Sequence, residues 1–198
     1  MNMFNKTPSS AFGWVGIIAV AAFCIMWLAC YAADGTWVWG YNSITDFGIS
    51  NTAAADYFSY GLVIAGAFLA LYGVGRLQTC NGKPGYAAGG CLLALTGIAI
   101  IVIGLLTKDV HSADYHNFFA ILAGVFLSAS VLAIAIQQYY CGKVLPVGVA
   151  LVIVLAVIVF AYEFNFAKFE VYAIVAALIW VAMDAALMVK SGISGGAQ

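Results

Sequence analysis

The stretch TKDVHSADYHN, residues 107–117, interrupts a sequence that is otherwise mostly apolar. It contains both histidines of the chain, His111 and His116, and two of its eight acidic residues. Long apolar runs lie on either side of it, over residues 86–106 and 118–139. A short polar stretch between two runs of about 20 apolar residues is typical of a link between membrane-spanning helices.

The composition of the whole chain is that of an integral membrane protein. Of its 198 residues, 65% are hydrophobic and 8% are charged, whereas soluble domains are about 45–50% apolar and about 25% charged. A spanning helix needs about 20 residues, so the chain has room for six spans in one transmembrane domain over residues 1–198. The net charge of −1 provides no basic surface, which excludes nucleic-acid binding.

The apolar runs predict an all-α fold, a six-transmembrane-helix bundle. The first run is too long for the core of a signal peptide, so we expect it to be retained as a span. The second and fourth links are short and rich in glycine, lysine and proline, while the first link is the long one. The predicted helices cover residues 11–33, 57–75, 86–106, 113–139, 145–164 and 169–189.

If consecutive helices alternate in direction, most basic residues lie on one side of the membrane and most acidic residues lie on the other. The termini, the second link and the fourth link carry basic residues: Lys6, Arg76, Lys83, Lys143 and Lys190. The first, third and fifth links carry Asp34, Asp46, Asp56, Asp109, Asp114, Glu163 and Glu170, with Lys108 and Lys168. The positive-inside rule therefore predicts cytoplasmic termini, short inner links and acidic outer links.

The three outer links share a side, so their polar residues can converge in one outward-facing pocket. Three helix N-termini also point to that side and could hold a phosphate or a carboxylate. The acidic residues would repel such an anion unless they are protonated, paired or bound to a cation. The predicted ligand-binding residues are Ser43, Asp46, Asp109, His111, Ser112, His116 and Glu170.

The same links suggest three chemical interpretations of the histidines. Asp109, His111 and His116 could ligate a divalent metal, the cofactor that this residue set would suit. The histidines could instead cap or hydrogen-bond near the start of the fourth helix. As catalytic candidates, His116, Asp109 and Asp46 could act as acid or base groups, although no G-x-S-x-G motif occurs. The five cysteines form no C-x-x-C pair and are interpreted as small apolar residues.

Two further features have competing interpretations. Asp184 lies in the inner half of the sixth span, where an acidic residue suggests a proton or ion relay. The structural alternative is that Asp184 reaches water or Lys190 at the interface. Trp37 and Trp39 in the first link are interpreted as interfacial anchors, or as part of an extended segment over the helix ends.

Two motifs resemble a known family. The first is ITDFG at residues 44–48, followed by YFSYGLVIAG at residues 57–66, and the second is GLLTKD at residues 104–109 with His116. Both are similar to landmarks of the six-helix membrane family catalogued as domain of unknown function 998, DUF998, and more distantly of the FRAG, DRAM and Sfk group. Thr107 stands where the family usually has proline, and Lys168 is the one counterpart of its basic residue at the start of span six.

The resemblance implies a six-helix fold with an outward polar site that includes Asp46, Asp109 and His116, and it supplies no reaction. The leading prediction is a non-catalytic protein that binds a lipid headgroup or small ligand, or serves as a membrane partner subunit. The alternative is a metal-assisted intramembrane lipid hydrolase, and a third is a proton-coupled transporter that uses Asp184. The expected location is a prokaryotic cell membrane, with lipids as partners and self-association left open.

Overall fold

The helices of the computed structural model follow the predicted apolar runs. The structure describes residues 9–106, 113–163 and 165–195. Within them, the first link contains a 3-10 helix at Ile44–Ile49. The α-helices are α1 Ser9–Ala33, α2 Ala54–Gln78, α3 Pro84–Leu105, α4 Ala113–Tyr140, α5 Val144–Glu163 and α6 Phe166–Gly195. The prediction of an all-α fold with six long helices is confirmed.

The helices have the length and composition of membrane spans. Judged on the described residues, α1, α2, α3, α4 and α6 are each long and apolar enough to cross a membrane, and α5 contributes the shorter apolar stretch Val144–Ala156. The largest difference from the predicted bounds is at α6, which continues six residues past residue 189. α2 begins three residues before residue 57 and continues three residues past residue 75. Arg76 therefore lies inside a helix and not in the second link.

The six helices form a closed ring. Each helix packs against its neighbours in the sequence, and α1 packs against α6. Because consecutive helices alternate in direction, the first, third and fifth links lie at one end of the ring, which we call the acidic end. The second and fourth links, around Lys83 and Lys143, lie at the opposite end, which we call the basic end.

Glycines allow α2 and α3 to approach closely. A Cβ atom built on Gly73 would lie 2.3 Å from the backbone nitrogen of Ala94, and one built on Gly97 would lie 2.4 Å from the backbone nitrogen of Ala70. Backbone atoms cannot rotate away as a side chain does, so only glycine fits at these two positions. Small residues at such positions let two helix backbones pack closely in a membrane.

The ring encloses two apolar clusters, one in each half. The cluster near the acidic end includes Ile44 and Phe47 of the first link, together with Phe58 of α2. The cluster near the basic end includes Leu93 of α3 and Trp180 of α6. The first link thus contributes Ile44 and Phe47 to the interior of the protein.

The close contact of α2 with α3 gives a prediction for stability. Gly97→Val should lower the free energy of unfolding by about 1–3 kcal/mol or more, because the added atoms force the two backbones apart. Gly124→Ala is the matched control, since a Cβ at Gly124 meets nothing within 4 Å. Equilibrium unfolding in detergent mixtures measures both variants, and equal stability of the two would contradict this account of the packing.

Candidate functional site

The first link is packed onto the acidic end by its aromatic residues. Trp37 is buried and stacks on Phe47 with ring centroids 5.2 Å apart. Its Nε1 donates a hydrogen bond of 2.9 Å to the carbonyl oxygen of Ser43. The prediction of an interfacial anchor is therefore wrong for Trp37. Trp39 is 47% exposed and meets the ring of Tyr172 edge to face.

Two carboxylates hold the turn into the 3-10 helix. Oδ2 of Asp46 accepts the backbone N–H of Ser43 at 2.9 Å, and Oε2 of Glu170 accepts the backbone N–H of Ile44 at 3.0 Å. The Ser43 hydroxyl lies 2.9 Å from that of Thr45. The structure therefore brings together Ser43, Asp46 and Glu170, three of the predicted site residues. These contacts fasten the first link to the start of α6.

A second contact with the start of α6 lies nearby. Nδ2 of Asn165 donates a hydrogen bond of 3.0 Å to the carbonyl oxygen of Gly40. Gly40 has a φ of +82°, and a Cβ at this position would lie 2.7 Å from Cε of Lys168. The first link and the start of α6 thus form one surface at the acidic end.

Asp34 closes α1 at the same end with a network of short-range hydrogen bonds. Its Oδ1 accepts the backbone N–H of Thr36 at 2.9 Å and the Thr36 hydroxyl at 2.6 Å. Hydrogen bonds from the Ser50 hydroxyl and from both Thr36 donors lower the pKa of the Asp34 carboxyl. Donors stabilise the charged form, so Asp34 remains an anion at neutral pH.

His116 lies in the first turns of α4 and is 1% exposed. Its Nδ1 is 2.7 Å from the carbonyl oxygen of Leu106. A carbonyl oxygen only accepts hydrogen bonds, so Nδ1 must carry the proton. In the neutral ring this leaves Nε2 as an acceptor, and Nε2 is buried without a hydrogen-bond partner among the described residues.

Most of the predicted site residues in the third link cannot be compared with the structure. Asp109, His111 and Ser112 lie outside the described residues, so their predicted ligand-binding role stays a prediction. The metal site at Asp109, His111 and His116 also stays a prediction. Within the described parts of the chain, no group of three or more His, Cys, Asp or Glu residues could hold a metal ion. All five cysteines are free.

The basic end contains a buried ion pair that the sequence analysis missed. Asp184 is 0% exposed. Nε of Arg76 donates to Oδ2 of Asp184 at 3.0 Å, and a second guanidinium nitrogen contacts Oδ1. The interpretation of Asp184 as a group that reaches water is therefore wrong, because the bilayer interior favours a paired carboxylate. Arg76 contributes this pair from inside α2.

Two more donors complete the surroundings of the Asp184 carboxylate. The Tyr72 hydroxyl donates to Oδ2 at 2.5 Å, and Nε2 of Gln138 donates to Oδ1 at 3.2 Å. The Arg76 guanidinium also lies over the ring of Tyr86, 4.7 Å from its centroid. The cluster joins side chains of α2, α3, α4 and α6, and each carboxylate oxygen has two donors.

Helical spacing and depth could have revealed this cluster. Tyr72 and Arg76 are four residues apart, so they share one face of α2. Arg76 and Gln138 lie close to the basic end of α2 and α4, and Asp184 lies in the half of α6 towards the same end. A buried acid at the same depth as an arginine is expected to pair with it, because an unpaired charge is costly in hydrocarbon.

Six apolar helices closed around a buried ion pair define a multi-pass helical membrane protein. The family model described as Protein of unknown function, DUF998, matches residues 10–187, and the chain belongs to this family. The match covers most of the chain, from the start of α1 to the last turns of α6. No curated protein and no solved structure matches the chain.

The buried pair gives a prediction for a double-mutant cycle. Arg76→Met or Asp184→Leu alone should cost about 3–5 kcal/mol of stability, because each leaves an unpaired buried charge. The double variant should cost less than the sum of the two single variants. Unfolding in detergent measures all three, with the exposed Lys83→Met as the control for loss of charge. Strictly additive losses would show that the two groups do not stabilise each other.

Asp34 gives a prediction for the dependence of stability on pH. Its pKa is lowered in the folded protein, so its contribution is present above the unfolded pKa of about 4 and is lost as the pH falls through the folded pKa. Wild type should melt at a higher temperature than Asp34→Asn at pH 6, and the difference should shrink below about pH 4. Asp56→Asn, at an exposed carboxyl of the same end, is the control. A difference that persists unchanged at low pH would refute the role of the charge.

Proposed function

We propose that the protein is a non-catalytic binding protein whose acidic end recognises a lipid headgroup or small ligand that carries a positively charged N–H donor. The observation that supports this most directly is the buried Nε2 of His116, an acceptor without a partner among the described residues. Burying an acceptor without a hydrogen bond costs about 1–3 kcal/mol. A bound donor would remove this cost.

The charge of the acidic end supports a cationic ligand. The sequence places seven acidic residues and two lysines in the links at this end. Asp34, one of the seven, has a lowered pKa and keeps its charge at neutral pH. An anionic headgroup would be repelled, while a primary ammonium would be attracted and could donate to a histidine nitrogen or to a carboxylate.

The packing of α4 supports a shared location for these groups. His116 comes one turn before Phe119 and Ala120, which pack against the same apolar cluster as Ile44 and Phe47. The first turns of α4 and the first link therefore cover one cluster at the acidic end. By the positive-inside rule this end faces outward, so we propose that the ligand comes from the outer leaflet or from outside the cell.

The contacts of His116 also favour a second candidate function, a metal-assisted lipid hydrolase. Metal-binding histidines commonly donate one ring N–H to a backbone carbonyl and ligate the metal through the other nitrogen. The Nδ1 contact with Leu106 has this form. Asp109 and His111 would be the further ligands, with Asp46 as an acid or base group.

A lipid-retention experiment tests the leading proposal. The protein is placed in nanodiscs that contain phosphatidylethanolamine, phosphatidylcholine and phosphatidylglycerol, and the lipids that it retains are counted by native mass spectrometry. We expect preferential retention of phosphatidylethanolamine and about tenfold less of it in His116→Leu, since one hydrogen bond to a charged donor is lost. Free ethanolamine as competitor distinguishes a headgroup site from a site for a soluble amine.

Controls separate the two candidate functions. Asp114→Asn alters an exposed acid two residues before His116 and should retain the wild-type preference. Equal retention of the three lipids by wild type, or an unchanged preference in folded His116→Leu, would contradict the binding proposal. Elemental analysis with a lipid-turnover assay tests the second candidate. Stoichiometric metal that is lost in His116→Leu together with turnover would replace the binding proposal with the hydrolase.

A further inference from the structure

A groove lies between α4 and α5 in the half of the protein near the basic end. Its volume is about 360 Å³. Its walls are apolar and include Leu132, Ile136, Tyr139, Val147, Ala150 and Leu151. Leu132, Ile136 and Leu151 are exposed on the outer surface of the ring, so the groove opens towards the hydrocarbon of the membrane.

Small residues and loose packing explain why the groove exists. Ala135 and Ala150 are buried at its base, where larger side chains would fill the space. The two helices make much less contact with each other than α2 makes with α3. They are joined by a tight turn with Gly142 at a φ of +73°. Lys143 follows in this turn, between the lining residues Tyr140 and Val147 in the sequence.

The buried ion pair gives the nearby surface an unopposed positive charge. Among the links and termini at the basic end, the sequence has no acidic residue, and the nearest acid is Asp184 in α6. Asp184 is fully buried and paired with Arg76. Lys83 and Lys143 remain exposed at the second and fourth links. A negatively charged group is therefore attracted to this end.

The lining and the surroundings of the groove indicate what can occupy it. The walls are apolar, and the exposed Leu132, Ile136 and Leu151 lie on the surface that faces the hydrocarbon of the membrane, which consists of acyl chains. A single acyl chain is narrow and entirely apolar, and it matches this lining.

We propose that this groove binds one acyl chain of an anionic phospholipid whose phosphate contacts Lys143. Tyr139 and Tyr140, at the end of α4, then lie at the level of the headgroup, where tyrosine is enriched in membrane proteins. The lipid is bound by burial of its chain and by the charge of its headgroup. This site is at the opposite end from His116 and does not depend on the function proposed above.

The experiment measures retained lipid in nanodiscs made from phosphatidylglycerol and phosphatidylcholine. After detergent extraction, native mass spectrometry should show one phosphatidylglycerol on wild type. Lys143→Gln should reduce its retention about fivefold, since one lysine near an anionic headgroup contributes about a factor of five. Lys168→Gln, which removes a lysine at the acidic end, is the matched control and should retain the lipid.

Groove-filling variants test the acyl chain separately from the charge. Ala150→Leu should abolish retention although Lys143 is intact. Ile136→Trp narrows the groove from an exposed wall and tests the same point if Ala150→Leu does not fold. Equal retention of the two lipids by wild type, or full retention in the folded groove variants, would overturn the proposal. A dimer mass in wild type that is absent in Ile136→Trp would identify a second copy of the protein as the occupant of the groove. That result would also overturn the proposal of a bound acyl chain.

Discussion

The ion pair of Arg76 with Asp184 is the interaction on which the arrangement of the ring depends. α2 and α6 are not neighbours around the ring, so their contact must be made by long side chains across its middle. In hydrocarbon no water can replace a missing partner, and an unpaired charge is costly. The depth and rotation of α2 and α6 are therefore fixed together. Gln138 adds α4 to the same constraint.

The same pair determines how charge is distributed between the two ends. It removes one positive and one negative charge from the surface of the basic end, where the exposed lysines then have no acidic neighbour in the links. At the acidic end, Asp46 and Glu170 accept backbone N–H groups of the first link. The two ends thus differ in the sign of the charged residues in their links.

The number and positions of the helices could be predicted from sequence because the thickness of the membrane sets the length of an apolar run. Because helices that alternate in direction place every second link on the same side, the sequence also predicted that Asp46 and Glu170 lie at the same end. The rotation of each helix about its axis could not be predicted, since these helices are apolar on every face and lack an amphipathic pattern. Arg76 was placed in a link for a different reason: the second apolar run was taken to end at residue 75, whereas α2 continues to Gln78. Its pairing with Asp184 was missed as a result. Trp37 was assigned to the interface because the fold of the first link, which buries it, depends on contacts distant in sequence.

The acids of the two ends are stabilised in ways that lead to different chemistry. The guanidinium of Arg76 neutralises the charge of Asp184, so this carboxylate can be buried completely. The pair as a whole carries no net charge. Backbone N–H groups and hydroxyls hold a carboxylate in position without cancelling its charge, and they lower its pKa, as at Asp34. Carboxylates of the second kind keep their negative potential at neutral pH. For this reason a carboxylate such as Asp34 keeps its net charge at the acidic end, whereas the buried pair at the basic end is neutral as a whole.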